Sequence, residues 1–351
     1  GGIVDCASPS VVELVGKSHL TFSTIAILVL MTATLKAVVF PIVHHLGSDI
    51  ADGSTGRSVS RVYFFNIIGS CIAPLLVGFF ALDWLGSQKT MIGLGALAIG
   101  LAIVWAAWSS ARYRLLWPVG LVLAVTIVSQ APRTETMLHA LAKTDRNGVE
   151  WLLENRHGVI HVTSGKDRVP AVLGGNAYDG MMTTDPVSNL NMTHRLYWLA
   201  ALHPGPERVL VIGFSGGAWT EILRNFPTVQ QIDVVEINKG YIDLVKERAP
   251  YRELLNDPRI IFHFDDGRRW LRANPGRQFD LIVMNNTFHW RAYSTNLLSR
   301  EFMQILSEHM TPQSLLAFNA TGSPDALATA ASVFPHAYRW VQSNFIYAAK
   351  W

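Results

Sequence analysis

Val209–Leu223, VLVIGFSGGAWTEIL, is the stretch that decides the fold. Four apolar residues run into a glycine turn, Gly213 to Gly217, and a helical pattern carrying Trp219 and Glu221 follows. A buried parallel strand delivers a nucleotide to a helix N-terminus in this way. The turn reads Gly-Phe-Ser-Gly-Gly, which matches neither the dinucleotide pattern GxGxxG nor a phosphate loop ending in Gly-Lys-Ser/Thr.

Around it, strands and helices alternate. Strands are expected at 208–212, 231–235, 260–263, 280–284 and 314–319, with helices at 218–225, 239–248, 267–273 and 299–309 between them. This predicts a doubly wound parallel sheet. A helix at 192–202 leads in, and a helix at 325–333 with strands at 337–341 and 345–349 closes the chain. Upstream, residues 157–184 are rich in Val, Ile, Thr and Gly, which predicts a small β-hairpin subdomain with turns at Gly165–Lys166 and Gly174–Asn176.

Ligands of such sheets sit beyond the carboxyl ends of the strands, at the point where strand order reverses. The first strand ends in Gly213, Ser215 and Gly217, small residues that let a ligand reach backbone N–H groups. The second ends in VVEIN and places Glu236 about twenty residues after the turn, where a carboxylate accepts ribose hydroxyls. The third ends in HFDDG, with Asp265 and with Asp266 placed to accept from an adenine amino group. The fourth ends in MNNTFHW, giving Asn285, Asn286, His289 and Trp290. No Lys or Arg joins the glycine turn. A ribose acid and an adenine acid without a phosphate cradle point to S-adenosylmethionine (SAM) rather than NAD or ATP. Taken singly, each acid also fits a helix cap.

The N-terminal part has another character. Half of the 351 residues are hydrophobic and 16% are charged, against roughly 25% in an ordinary soluble domain. The deficit lies before Pro132. Leu20–Val43, Tyr63–Leu82, Met91–Ser109 and the shorter Leu115–Val128 are candidate spans. We therefore expect a multi-pass α-helical membrane domain of about four helices over 1–131, a linker over 132–156, the β-hairpin subdomain over 157–191 and an α/β Rossmann-like SAM-binding domain over 192–351.

Lys36, inside the first span, marks either a function or a side chain snorkelling towards His44 and His45. Arg57, Arg61, Arg112 and Arg114 compete with Lys17, Lys89, Arg133, Lys143 and Arg146, so charge does not set the orientation. A cytosolic cofactor puts the C-terminal half in the cytoplasm, below an inner (plasma) membrane. The net charge of +3, without a basic run interleaved with aromatics, argues against nucleic acid. Cys6 and Cys71 make no disulfide framework or CxxC site, and no metal is expected. The Gly-Gly start without an initiator Met leads us to expect a trimmed chain with residues upstream.

From about His157 to Lys350 the chain resembles the spermidine synthase (aminopropyltransferase) family in a membrane-fused bacterial form. HPGPERVLVIGFSGG stands where that family has a proline-rich lead into VL-IGGGDGG. VVEIN is similar to its EID-type segment, FDDG to its adenine-binding DG or DA, YDGMMTT to its LDG-x-x-Q hairpin and LLSREF to its L-Y-T-x-E-F. The resemblance implies a class I methyltransferase-like fold with an N-terminal β-hairpin domain, and SAM or decarboxylated SAM as co-substrate.

The departures bear on chemistry. The family's aspartate after the fourth strand deprotonates and orients the attacking amine; the aligned residue here is Asn285, and an amide cannot act as a general base. The aspartate that grips the amino end of the donor is Gly216, and the hairpin glutamine is Thr183. Asp179 stands at the LDG position after Tyr178, with His289 and His194 as further polar candidates. A turn residue before Gly180 is the plain alternative for Asp179. Trp219, Trp290 and Tyr293 are either walls around a sulfonium or core residues, and the ring of Phe214 is expected to narrow the pocket.

The expected function is a membrane-anchored SAM-dependent transferase of spermidine synthase type. It would pass an aminopropyl-like or methyl group to a small or lipid-proximal acceptor, or cleave or cyclise SAM with release of methylthioadenosine. The alternative is a non-catalytic SAM or polyamine sensor, or a regulated transporter component. Expected partners are the bilayer, a small-molecule substrate and a second copy of the chain.

Overall fold

The computed structural model describes residues 55–108 and 148–351, except 165, 204, 286, 287, 290, 292, 293 and 321, and single positions between 30 and 125. The chain divides into two compact units, residues 1–143 with 154–156, and residues 144–153 with 157–351.

In the first unit, α1 (Thr55–Leu76) passes through a π-helical turn (Val77–Ala81) into α2 (Leu82–Trp108). Pro74 removes one amide donor inside α1, and the wider π turn begins three residues later. Val59–Val104 is a helical run of 46 residues, long and apolar enough to cross a membrane. Phe64, Phe65, Phe79 and Leu97 on it are exposed. Gly86, at φ 73°, interrupts the run. Gly86 lies between the expected spans Tyr63–Leu82 and Met91–Ser109, and helix stands on either side of it. Leu20–Val43, Leu115–Val128, Lys36 and the stretch 131–147 lie outside the described residues, single positions apart.

After residue 148 comes a four-stranded sheet in the order β1 (Val149–Asn155), β2 (Gly158–Ser164), β3 (Pro170–Gly174), β4 (Ala177–Met181), with β2, β3 and β4 antiparallel. The first strand corrects the expectation of a linker over 132–156. Trp151 packs against the core and donates its Nε1–H to Glu247 Oε2 at 2.8 Å, which ties the segment down. The hairpin turn between β3 and β4 is Gly175-Asn176, with φ of 56° and 62°. Two consecutive positive φ values fit the right-handed strand twist, and Gly and Asn adopt them at least cost.

Two single-turn helices, α3 (His194–Tyr197) and α4 (Leu199–Leu202), join this sheet to the larger one. There, β5 (Arg208–Ile212), α5 (Ala218–Arg224), β6 (Gln231–Glu236), α6 (Gly240–Arg248), β7 (Ile260–Phe264), α7 (Gly267–Ala273), β8 (Phe279–Met284), α8 (Ser294–Leu297), α9 (Arg300–Glu308), β9 (Met310–Asn319), α10 (Asp325–Ala331), β10 (His336–Trp340) and β11 (Phe345–Ala349) follow. The strand order is β10-β11-β9-β8-β5-β6-β7.

Strands β5 to β9 are parallel, but β11 runs antiparallel between β9 and β10. The alternating strands are parallel as expected, and the two tail strands, whose direction the sequence leaves open, form an antiparallel edge. The Val341–Ser343 turn is too short for the crossover that parallel pairing of β10 and β11 needs. Alternate residues of each strand feed two cores. Val209, Val211 and Val283 pack with α5 and α6, while Leu210, Ile282 and Met284 pack with Trp270 of α7 and Phe302 of α9. That two-faced burial makes the strands read as continuous apolar runs.

Candidate active site

The chain reverses strand order between β5 and β8. Their carboxyl ends, Gly213 and Asn285, form the floor of a cavity of about 430 Å³. A Cβ on Gly213 would come within 3.2 Å of the Asn285 carbonyl oxygen. Gly213 also sits at φ 88° and Ser215 at φ 51°, so the turn after β5 is a tight left-handed curl.

Glu236, at the end of β6, is buried and lines this cavity. Its Oε2 accepts from Phe214 N at 2.7 Å and its Oε1 from Asn238 N at 2.8 Å. Burial raises its pKa, while the Asn238, Phe214 and Ser215 amides lower it and Asp179 raises it. A carboxylate has about four acceptor sites, so it retains capacity for a hydroxyl beside these amides.

Asp265 and Asp266 line the same cavity. Asp266 is also the N-cap of α7, its Oδ1 accepting from Arg268 N and Arg269 N, both at 3.0 Å. Asp265 pairs with Arg269. The capping and ligand readings of Asp266 therefore coexist.

Asp179 closes the cavity from β4. Only 5% exposed, it accepts from the Tyr241 hydroxyl and is ion-paired with Arg291. Burial lowers the Arg291 pKa, but Asp179 and Tyr241 outweigh it and the guanidinium is held above its ordinary value. Burial and then Asp179 push the Tyr241 phenol well up. Ser215 Oγ donates to the Asp179 carbonyl at 2.8 Å, fastening the glycine turn to β4.

A second cavity, also about 430 Å³, lies beyond Asp179 and Asn285, which line both. Tyr178, Asn191, Arg195, Trp219 and Asn344 line only this one. Burial raises the Tyr178 pKa, Arg195 opposes this and Asp179 adds to it, so the phenol stays protonated at neutral pH.

Of the residues expected at the site, Gly213, Ser215, Glu236, Asp265, Asp266, Asp179 and Asn285 meet in the first cavity and Tyr178 in the second. Gly217 is instead the left-handed N-cap of α5, and Phe214 is buried against Phe262 rather than narrowing a pocket. The apolar wall behind β5 takes the Phe214 ring because its amide is drawn to Glu236. His194 packs edge-on to Trp340, and His289 lines neither cavity. Trp219 both lines the second cavity and packs on Phe345. Asn286, Trp290 and Tyr293 lie outside the described residues.

Sequence reasoning passed over Tyr241, Arg291 and Arg195. Arg291 carries a readable signal, a cation in the loop after the fourth strand. Tyr241 sits on the first turn of α6 and Arg195 on α3, beyond the turns that directly follow the strands. The space beside Gly216 is filled by Val172 and Met182, 3.2 and 3.3 Å from where a Cβ would stand. An aspartate there would have to displace them.

The reversed sheet with acids at two successive strand ends defines a Rossmann-type α/β domain. Residues 198–326 match the family described as the Spermine/spermidine synthase domain. The Polyamine aminopropyltransferase of Leptospira biflexa is 39% identical over 87 residues, 24% of this chain and 30% of that protein. That of Agathobacter rectalis is 32% identical over 126 residues, 36% of this chain and 39% of its own length. The chain thus matches well under half the length of these relatives. The spermidine synthase of Thermotoga maritima aligns over 58% of this chain and 73% of its own, with 18% identity and a TM-score of 0.46. The sequence matches support the spermidine synthase superfamily for the C-terminal part of the chain.

Proposed function

We propose that the chain is a membrane-anchored transferase of spermidine synthase type that takes SAM or decarboxylated SAM in the first cavity. The observation that carries this is Glu236, buried at the end of β6 and oriented by two backbone amides beside Gly213. A carboxylate fixed in this way is suited to the two ribose hydroxyls of the donor, with Asp266 beneath the adenine.

The reaction is displacement at a carbon bonded to the donor sulfonium. The acceptor's lone pair forms the new bond, the C–S bond breaks, and its electron pair returns to sulfur as a thioether, methylthioadenosine for aminopropyl transfer. The acceptor's proton leaves to solvent, because Asn285 is no base. We read Asn285 as standing where the family's aspartate stands. Tyr178 and Asp179 act by position, and alignment of the two reactants supplies the acceleration.

The apolar run Val59–Val104 supports anchoring in a bilayer. We propose a multi-pass arrangement with the C-terminal domain on the cytoplasmic side, where the donor is found.

The test is to incubate protein purified from the membrane fraction with SAM or decarboxylated SAM and a panel of amines, and to measure adenosyl products by mass spectrometry. Methylthioadenosine or S-adenosylhomocysteine is expected. Glu236→Gln should weaken donor binding about 100-fold or more, at ~1.5–3 kcal/mol per charge-assisted hydrogen bond. Donor that binds but is never consumed would return the non-catalytic sensor.

A further inference from the structure

Arg195 is 6% exposed and lines the second cavity. Among the described residues no carboxylate pairs with it. Its Nη2 lies 2.7 Å from the Met192 sulfur, its guanidinium stands 5.3 Å from the centre of the Phe345 ring, and its Nε is buried without a hydrogen-bond partner. Burial lowers its pKa to about 10, with Tyr347 and Tyr178 raising it, so it remains a cation at neutral pH. A thioether and a ring face are weak partners for a buried charge, which ordinarily needs an anion to offset its desolvation.

The other charges near it do not supply that anion. Asp179, the carboxylate shared by both cavities, is already bonded to Arg291 and Tyr241. The remaining polar lining is mostly amide, from Asn191, Asn285, Asn319 and Asn344. With Arg291 and Asp179 cancelling, this cavity carries the net charge of Arg195. Such a lining repels a polycation and lacks one ligand group, a planar anion with two acceptor oxygens for the guanidinium fork.

We infer that the second cavity is a carboxylate-binding subsite built on Arg195, and that one of the two reactants of the transfer carries that carboxylate. The carboxylate is either that of the methionine end of SAM, reaching past Asp179, or that of a separate amino-acid-like acceptor. The assignment of reactants rests on the first cavity being the donor site; the carboxylate subsite itself does not.

Two probe pairs, each differing by one carboxylate, test it by calorimetry: SAM against decarboxylated SAM, and ornithine against putrescine. The wild-type protein should prefer the carboxylated member of one pair at least tenfold, and the pair that shows it names the source. Arg195→Met should abolish that preference and leave affinity for the carboxylate-free member within about twofold. Its melting temperature should equal or exceed that of the wild type, since an unpaired buried charge is removed. Arg195→Lys, which keeps the charge but loses the fork, should retain part of the preference.

No discrimination within either pair, or discrimination that survives in Arg195→Met, overturns the inference. If neither SAM nor decarboxylated SAM binds while ornithine is still preferred through Arg195, the donor assignment fails and the subsite stands.

Discussion

The two cavities that meet at Asp179 and Asn285 are built on opposite plans. In the first, Glu236 is oriented by backbone amides in the turns after β5 and β6, and Asp266 by amides at the start of α7. Its geometry belongs to the fold. The second is assembled from side chains of β4, α3, α5 and the loops after β8, β9 and β10. Its charge is set by single side chains, Arg195 above all. The lesson is that the first cavity is held by topology, while the second is free to change chemistry one residue at a time.

Asp179, Arg291 and Tyr241 form the wall between the cavities, so breaking the wall should damage both. Arg291→Ala removes the cation that is ion-paired with the buried Asp179 carboxylate. We expect a loss of about 3–5 kcal/mol in chemical denaturation, with ligand binding reduced in both cavities. The double variant Asp179→Asn with Arg291→Met should recover most of that stability, because no buried charge remains unpaired. If Arg291→Ala unfolds at wild-type denaturant, the ion pair is not what holds β4 to the sheet ends.

Gly174→Ala is a subtler blow to the same wall. Its φ is not in the left-handed region, so the backbone accepts alanine, but the new Cβ would fall on the tips of Arg291, Asp179 and Tyr241. About 1–3 kcal/mol of overpacking strain is expected. Thermal unfolding with and without donor should show the stability loss and a smaller ligand-induced shift.

The same contrast explains what the sequence disclosed. Parallel strands buried on both faces are continuous apolar runs, and the first cavity opens at their carboxyl ends. That Gly213, Glu236, Asp265 and Asp266 line one cavity is therefore legible in the sequence. The antiparallel edge is not, since Ala337–Val341 and Phe345–Ala349 look like strands in either direction and only the short turn between them decides. Val149–Asn155 reads as linker because the run Trp151-Leu152-Leu153 breaks the alternation that marks a strand, and Trp151 is tied down only through Glu247 and the core behind it. Arg195 and Tyr241 escape because a helix residue's reach depends on tertiary packing.

Within the first cavity, Asp266 separates cap from ligand contact at the smallest scale. Its Oδ1 accepts both α7 amides, leaving Oδ2 for an adenine amino group. Asp266→Ala removes both functions and should cost about 1 kcal/mol of stability as well as donor affinity. Asp266→Asn keeps a capping oxygen of equal quality but turns an amide N–H₂ towards the adenine amino group. Its stability should stay within about 0.5 kcal/mol of wild type while donor binding weakens about tenfold, near the ~1.4 kcal/mol expected for one lost acceptor. Equal binding by wild type and Asp266→Asn would make Asp266 a cap alone, and would leave Glu236 as the acid that marks this cavity for a nucleoside.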